Sequence, residues 1–457
     1  MRATTKPGAR FRSESRQVLR DRHAQRVLDE ATNRLLEGRL AAWETVDDVQ
    51  SLRDQACEIR RRAISSLDSN LEQFADAVTR VGGTVYFAKT AQEAADRVVD
   101  ISRAAGATLA AKSKSMLSEE IRLNEALEAA GIRIVETDLG EYILQLAGEP
   151  PAHIIVPSIH KTAEDVARLF SEVAKRPVGP DLSELTLTAR GLLREVFLEA
   201  DVGITGVNFA VAETGSICLV TNEGNGRLVS SLPRVHIALM GMERIVPGLA
   251  DLAVLLQLLG RSATGQTLSA YTTLITGPRR AGEADGPDQL HVVVVDNGRS
   301  ALRDTEYSEM LHCIRCGACL NVCPVYRKVG GTAYSRVYSG PMGAVLLPLL
   351  QGLARAPDLP NASTLCGACA DACPVKIPIP DLLLLLRRDL VEQRVTAWPE
   401  RLAFEIWAAA WSSPLGYRAT ACAARAALPL ARRLAPYLPG LSGRRLPVMP
   451  RHSYRDR

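Results

Sequence analysis

Seven cysteines fall in two runs, Cys313-x2-Cys316-x2-Cys319-x3-Cys323-Pro324 and Cys366-x2-Cys369-x3-Cys373-Pro374. The first run has the bacterial ferredoxin spacing in every position. Thiolates so spaced can wrap one face of a cuboidal iron–sulfur cluster, and the chemistry of such a cluster is electron transfer. Other readings fit less well. Disulfides need an oxidising compartment and better geometry than neighbours two residues apart allow. One zinc ion would use two C-x2-C pairs, or cysteines with histidine, and would leave thiols over.

In two-cluster ferredoxins the fourth cysteine of each run ligates the other cluster. Applied here, Cys313, Cys316, Cys319 and Cys373 hold cluster one, and Cys323, Cys366 and Cys369 hold cluster two. Cluster two is one thiolate short, and the position that would complete its run is Ser363. A serine alkoxide, an open iron, a borrowed ligand or a three-iron cluster would each satisfy the spacing. The expected cofactors are two iron–sulfur clusters, both [4Fe-4S], with [3Fe-4S] as the alternative for cluster two. His312 is expected to support the site rather than bind iron. Cys57, Cys218 and Cys422 are scattered and are expected to be small buried hydrophobes.

The elements that must position these cysteines follow from the rest of the chain. A length of 457 residues implies several domains, and 47% hydrophobic with 23% charged residues is a globular composition. A net charge of +4 supports no general nucleic-acid role. Charge is uneven, however. Arg2, Lys6, Arg10, Arg12, Arg16, Arg20, Arg22 and Arg26 crowd the start, and nine arginines follow Trp411. These are expected to be solvated tails, or surfaces that dock on an acidic partner or an anionic membrane. No apolar stretch follows the basic start, and glycines and prolines break 337–354, so neither a signal peptide nor a span is expected. The expected location is cytoplasmic.

Apolar residues at helical spacing predict helices from about 15 to 80. Beyond Gly82-Gly83, short apolar runs at Thr84–Phe87, Ile132–Val135, His153–Pro157 and Val292–Val295 read as strands, with a helix at Ala91–Ala105. Strands alternating with helices predict an α/β domain with a largely parallel sheet. The stretch Gly203–Pro247 is rich in glycine, asparagine and threonine. Its turns could present backbone N–H groups to a phosphate or carboxylate, or could simply be tight turns. No nucleotide loop is visible. A helix is expected over Ala301–His312, another near Val345–Leu353, and more at Leu382–Arg394 and Pro399–Ser412. Trp398, Trp407 and Trp411 would then form a core stripe, with a docking helix as the alternative.

The strings 313–326 and 364–369, with Tyr338-Ser339-Gly340-Pro341, Cys373–Pro378, Glu213–Ser216 and Asp296–Arg299, resemble the lactate-utilization protein B family. The resemblance spans nearly the whole chain. It implies an α/β LUD domain of sugar-isomerase and CoA-transferase type at 76–300, after a helical region at 1–75. It also implies an α-helical ferredoxin-type 2×[4Fe-4S] domain at 301–390 and a helical, Arg-rich region at 391–457. The family shows the same seven-cysteine pattern, so Ser363 is no departure. It implies two partner subunits, one cysteine-rich and one LUD-only, and a joint role in oxidising L-lactate to pyruvate. This chain would then mainly transfer electrons, with no catalytic residue identified. The competing expectations are an electron adaptor for a glycolate- or heterodisulfide-type system, and a redox sensor that binds an anion.

Overall fold

The structure is a computed structural model that describes residues 10–334, 337–396, 398–437, 446 and 448. Arg2, Lys6, the Arg10 side chain and the arginines from Arg444 onward lie outside the described set. The chain divides into two compact units, Met1–Arg388 and Asp389–Arg457.

The first unit opens with helices Arg10–Val18, Arg22–Glu44, Val49–Ser65 and Leu67–Arg80. Asp21 and Asp48 cap the second and third, each accepting from backbone N–H groups of the first turn. The strands in chain order are β1 (Thr84–Ala88), β2 (Leu109–Lys112), β3 (Arg133–Glu136), β4 (Val202–Gly206), β5 (Phe209–Val211), β6 (Ser216–Thr221), β7 (Val235–Gly241), β8 (Ile245–Val246), β9 (Tyr271–Ile275) and β10 (Gln289–Val295). Six of them form a parallel sheet in the order β1-β10-β7-β4-β2-β3. The other four form a smaller mixed sheet, β8-β5-β6-β9.

Strand β10 shows why the apolar run Val292–Val295 must be central. Val293 and Val295 join the cluster of Val98, Ile204 and Ile237 on one face. Leu290, Val292 and Val294 join that of Phe74, Leu71 and Val78 on the other. Side chains alternate between faces, and both faces are covered, so every residue of the run 292–295 is apolar. Each buried valine contributes about 1.5–3 kcal/mol. In the small sheet, Gly215 (φ 69°) closes the β5–β6 turn. A Cβ there would lie 2.6 Å from the Val78 backbone nitrogen. The Glu213–Ser216 segment is therefore a turn packed on the helix Leu67–Arg80.

Four expectations need correction. Residues 153–157 form no strand. The His153 Nδ1 accepts the N–H groups of Ile155 (3.0 Å) and Val156 (3.1 Å), which removes them from any ladder. Ala301–His312 is not one α-helix but two 3-10 segments, Ser300–Leu302 and Ser308–His312. Between them Thr305 diverts the backbone, its hydroxyl donating to Leu302 O and accepting from Tyr307 N. The tryptophan stripe is not core. In the second unit, helices Trp398–Trp411 and Pro414–Leu434 bury no described residue, and Trp398 is 68% exposed. Trp407 and Trp411 instead pack on each other, with ring centroids 5.1 Å apart. Cys422 is exposed and Cys57 only partly buried, whereas Cys218 is fully buried as expected.

Candidate metal centre and the cavity beside it

The two cysteine runs share one backbone design. In the first, Arg315 (φ 61°) and Gly317 (φ 77°) flank Cys316 in the left-handed region. In the second, Leu365 (φ 55°) and Gly367 (φ 86°) flank Cys366 in the same way. Each glycine then starts a short helix, Ala318–Asn321 or Ala368–Ala372. Ser363 thus occupies the place in its run that Cys313 holds in the other. Its hydroxyl accepts the Leu365 N–H at 3.1 Å. The sulfurs of Cys323 and Cys373 each accept a backbone N–H, from Tyr326 and Ile377, at 3.4 Å.

Cys313, Cys316, Cys319 and Cys373 line one small pocket, and Cys319 also lies near Cys369. Cys316 interacts electrostatically with Cys313 and Cys373, and Cys319 with Cys313, Cys316, Cys369 and Cys373. Cys323 interacts with Cys366, and Cys369 with both of them. Burial first, then neighbouring sulfurs, push most of these thiols up, Cys369 to about 12. For Cys373, burial raises it to about 11 despite the Ile377 N–H. Cys366 is exposed, and the Thr364 hydroxyl lowers its thiol. Buried thiols held neutral become good ligands only when metal displaces their protons, so the donor set suits an iron–sulfur group. Among the described residues, no three His, Cys, Asp or Glu side chains are arranged to hold one metal ion. A four-iron cluster makes a different demand, because each thiolate binds a different iron.

Arginines from the N-terminal helices fasten these runs. Arg39 donates to Ala372 O (3.1 Å), and Arg53 to Cys373 O (2.8 Å) and Asp371 O (3.0 Å). Arg60, 1% exposed, donates to the carbonyls of Ile245 (2.8 Å), Leu311 (3.0 Å) and His312 (3.2 Å), and to that of Glu243. His312 itself is buried, and burial, then Arg60, hold its ring down to about 4.

A cavity of about 460 Å³ opens beyond the carboxyl ends of the parallel strands. Its walls include Ser113 and Lys114 after β2, Asp138 after β3, Asn208 after β4, Glu243 and Arg244 after β7, and Arg299 after β10. Open α/β sheets bind ligands at this edge. A smaller apolar pocket is lined by Cys313, Cys316, Cys319 and Cys373, and it shares Ile154 and Arg315 with the large cavity. The wall between them is a buried ionic network. Arg299 binds Glu120 through both terminal nitrogens (2.8 and 2.7 Å), and its Nε reaches Glu243 at 2.8 Å. Arg315 takes the other Glu243 oxygen at 3.2 Å. Burial alone would raise Glu243, but Arg299 and Arg315 outweigh it and hold the carboxyl down to about 2. The Tyr338 hydroxyl and Asn297 also donate to Glu120. Gly241 makes room for this wall, since a Cβ there would stand 2.2 Å from a Glu243 oxygen.

Comparison with known proteins matches two segments of the chain. Residues 71–295 match the LUD domain, and residues 309–377 match the 4Fe-4S dicluster domain. Lactate utilization protein B of Bacillus velezensis is 52% identical over 390 residues, covering 85% of this chain and 82% of that protein. The chain belongs to the lactate utilization protein B family. The Bacillus subtilis member is 51% identical over 385 residues, covering 84% of this chain and 80% of that protein. An uncharacterized electron transport protein of Escherichia coli, YkgF, is 46% identical over 405 residues, covering 88% and 85%. Family membership directs attention to the strings that carried the resemblance, and the structure gives several of them a local task. Asp296–Arg299 is a turn, with Asn297 at φ 44°, that delivers Arg299 to Glu120. Tyr338 reaches the same carboxylate. Arg39, Arg53, Arg60 and Arg244 were not singled out from the sequence. An arginine on a helical face carries no sign of being buried, and Arg244 is marked only by following an apolar strand.

Proposed function

We propose that this chain is an iron–sulfur electron-transfer subunit of a complex that oxidises L-lactate to pyruvate, working with a cysteine-rich and a LUD-only subunit. The observation that carries the reading is the pocket lined by Cys313, Cys316, Cys319 and Cys373, which supports taking these four as one ligand set and Cys323, Cys366 and Cys369 as the other. Those groups are the ligand sets we assign to clusters one and two, both [4Fe-4S], with [3Fe-4S] the alternative where Ser363 stands. When bound, the clusters supply one-electron transfer. The chain's own residues bury Cys316 and Cys373, half-bury Cys313 and Cys319, fasten the set through Arg53 and Arg60, and hold Arg315 beside Cys313. The names of the relatives support the lactate assignment. The α/β domain is read as sugar-isomerase or CoA-transferase-like, and the chain as acting in the cytoplasm; among the described residues no helix is long and apolar enough to cross a membrane. The exposed aromatics Trp398, Phe404 and Trp407 are the surface we assign to partner or peripheral membrane contact.

The test is genetic and biochemical. A deletion strain should fail to grow on L-lactate as sole carbon source, and L-lactate should reduce the clusters in the purified complex. Undiminished growth would sink the substrate assignment. The name of the Escherichia coli relative favours a second reading, an electron adaptor for another dehydrogenase. Native pull-down of a different dehydrogenase, without the two expected subunits, would support it.

A further inference from the structure

Arg244 stands apart from the other cations of the cavity wall. Arg299 has Glu120 and Glu243, and Arg315 has Glu243. Lys114 donates to Ile155 O at 2.7 Å. Arg244 lies on the cavity wall between these groups and makes no hydrogen bond or ion pair with any described residue. Its neighbours include Arg60, Arg315, Glu243, Cys313 and Tyr338, and the Glu243 carboxylate is already shared by two other arginines. Arg244 is only partly buried, and a guanidinium that faces the cavity without an acceptor among the described residues can take an anion that arrives from outside. The fork of donors suits a carboxylate.

A second donor lies on the adjoining strand end. Asn208 uses its Oδ1 to accept the Val220 N–H at 2.9 Å, which leaves its amide N–H groups without a described partner on the same wall. Strands β4 and β7 are neighbours, with Gly206 opposite Leu239, so Asn208 and Arg244 follow adjacent strand ends. Asp138 and Glu223 also line the cavity, and Lys114 is their cationic neighbour. The excess positive charge is therefore at the end of the cavity nearer Cys313.

We propose that this cavity is a binding site for a small organic carboxylate, seated on Arg244 with Asn208 as a second donor, beside the pocket of the first cysteine group. That the acid is a 2-hydroxy or 2-oxo acid rests on the functional reading above; the site itself does not. The anaerobically reconstituted full-length chain should bind L-lactate or pyruvate in titration calorimetry. Arg244→Gln should weaken binding about ten- to a hundredfold, the worth of one charge-assisted contact. Arg244→Lys should recover part of that loss, and Asn208→Ala should weaken binding less. Iron content and melting temperature check that each variant is folded; should Arg244→Gln not fold, wild type and Asn208→Ala decide. Absence of binding to the wild-type chain would overturn the proposal. So would unchanged affinity in Arg244→Gln, or a shift in cluster potential without any anion binding, which would make Arg244 a counter-ion only. Inorganic phosphate binding more tightly than either acid would overturn the carboxylate class. Clusters that still accept electrons from the partner subunits while no acid binds would remove this site and leave the electron-transfer reading standing.

Discussion

A single buried arginine can matter more than a salt bridge when its acceptors are carbonyls. Arg60 joins the helix Val49–Ser65 to the β7–β8 connection and to the residues just before Cys313. Arg60→Met removes the donor but leaves the carbonyls buried, and each unmet carbonyl costs about 1–3 kcal/mol. We expect a loss of at least about 3 kcal/mol in denaturant unfolding, with less iron retained after reconstitution. Full stability and full iron would contradict the role given to Arg60. At Ser363 the hydroxyl already accepts the Leu365 N–H. An open iron beside Ser363 predicts an unchanged cluster spectrum in Ser363→Ala, whereas a changed spectrum would mark an alkoxide ligand. Ser363→Cys should give a more stable four-iron cluster, because the backbone on either side repeats that of the first run.

At the scale of elements, β4 and β7 meet through a buried polar pair. His236 of β7 lies 2.7 Å from the Thr205 hydroxyl of β4, and its Nδ1 is buried without a partner. Burial, then His291, push its ring down to about 3. The unfolded ring titrates near 6.5. Below that pH the unfolded chain takes a proton that the folded sheet refuses, so stability is whole above about 6.5 and is lost as pH falls toward 3. The slope from this one ring is at most about 1.4 kcal/mol per pH unit. His236→Gln should cost about 1 kcal/mol at pH 7.5 through the lost hydrogen bond. By pH 5 the wild type loses about 2 kcal/mol through this ring, so the gap should close and reverse in urea unfolding of the anaerobic protein. A gap that stays constant would show that His236 does not titrate this way. Strand β7 and most of β4 lie in the glycine-rich stretch Gly203–Pro247, whose pattern marked no strand bounds. The strand expected at 153–157 fails because an apolar run says nothing about a histidine turning back on its own backbone.

For the whole molecule, the asymmetry between the two cysteine groups is the testable property. Cys366 of the second group is open to solvent, whereas Cys316, Cys323, Cys369 and Cys373 are buried and Cys313 and Cys319 half-buried. The second group also has three thiols where the first has four. Exposed thiolates are the ones reached by oxidants. Iron should approach eight per chain on reconstitution, or seven if the second cluster holds three. On exposure to air, absorbance assigned to the second cluster should disappear first. Cys366→Ser should remove that phase and Cys313→Ser the slower one. Equal bleaching rates would show the asymmetry to be without consequence.

What the chain alone determined is what short-range pattern controls. Thiolate spacing announces its cluster because a cuboidal group demands ligands at fixed separations. The valine run of β10 announces a strand covered on both faces because alternation leaves no polar position. Tertiary structure decided the rest. Arg53 and Arg60 look like solvated helix positions until the cysteine runs, hundreds of residues on, bring carbonyls to them. The glycine-rich stretch Gly203–Pro247 left a ligand site and simple turns equally open. Folding separated the two, burying Gly215 against a helix and setting Asn208 and Arg244 on the cavity wall. The tryptophans of Trp398–Trp411 had core spacing, yet none of them is buried. Burial of a charge, or exposure of an aromatic, depends on which distant surface arrives, and local sequence does not carry that information.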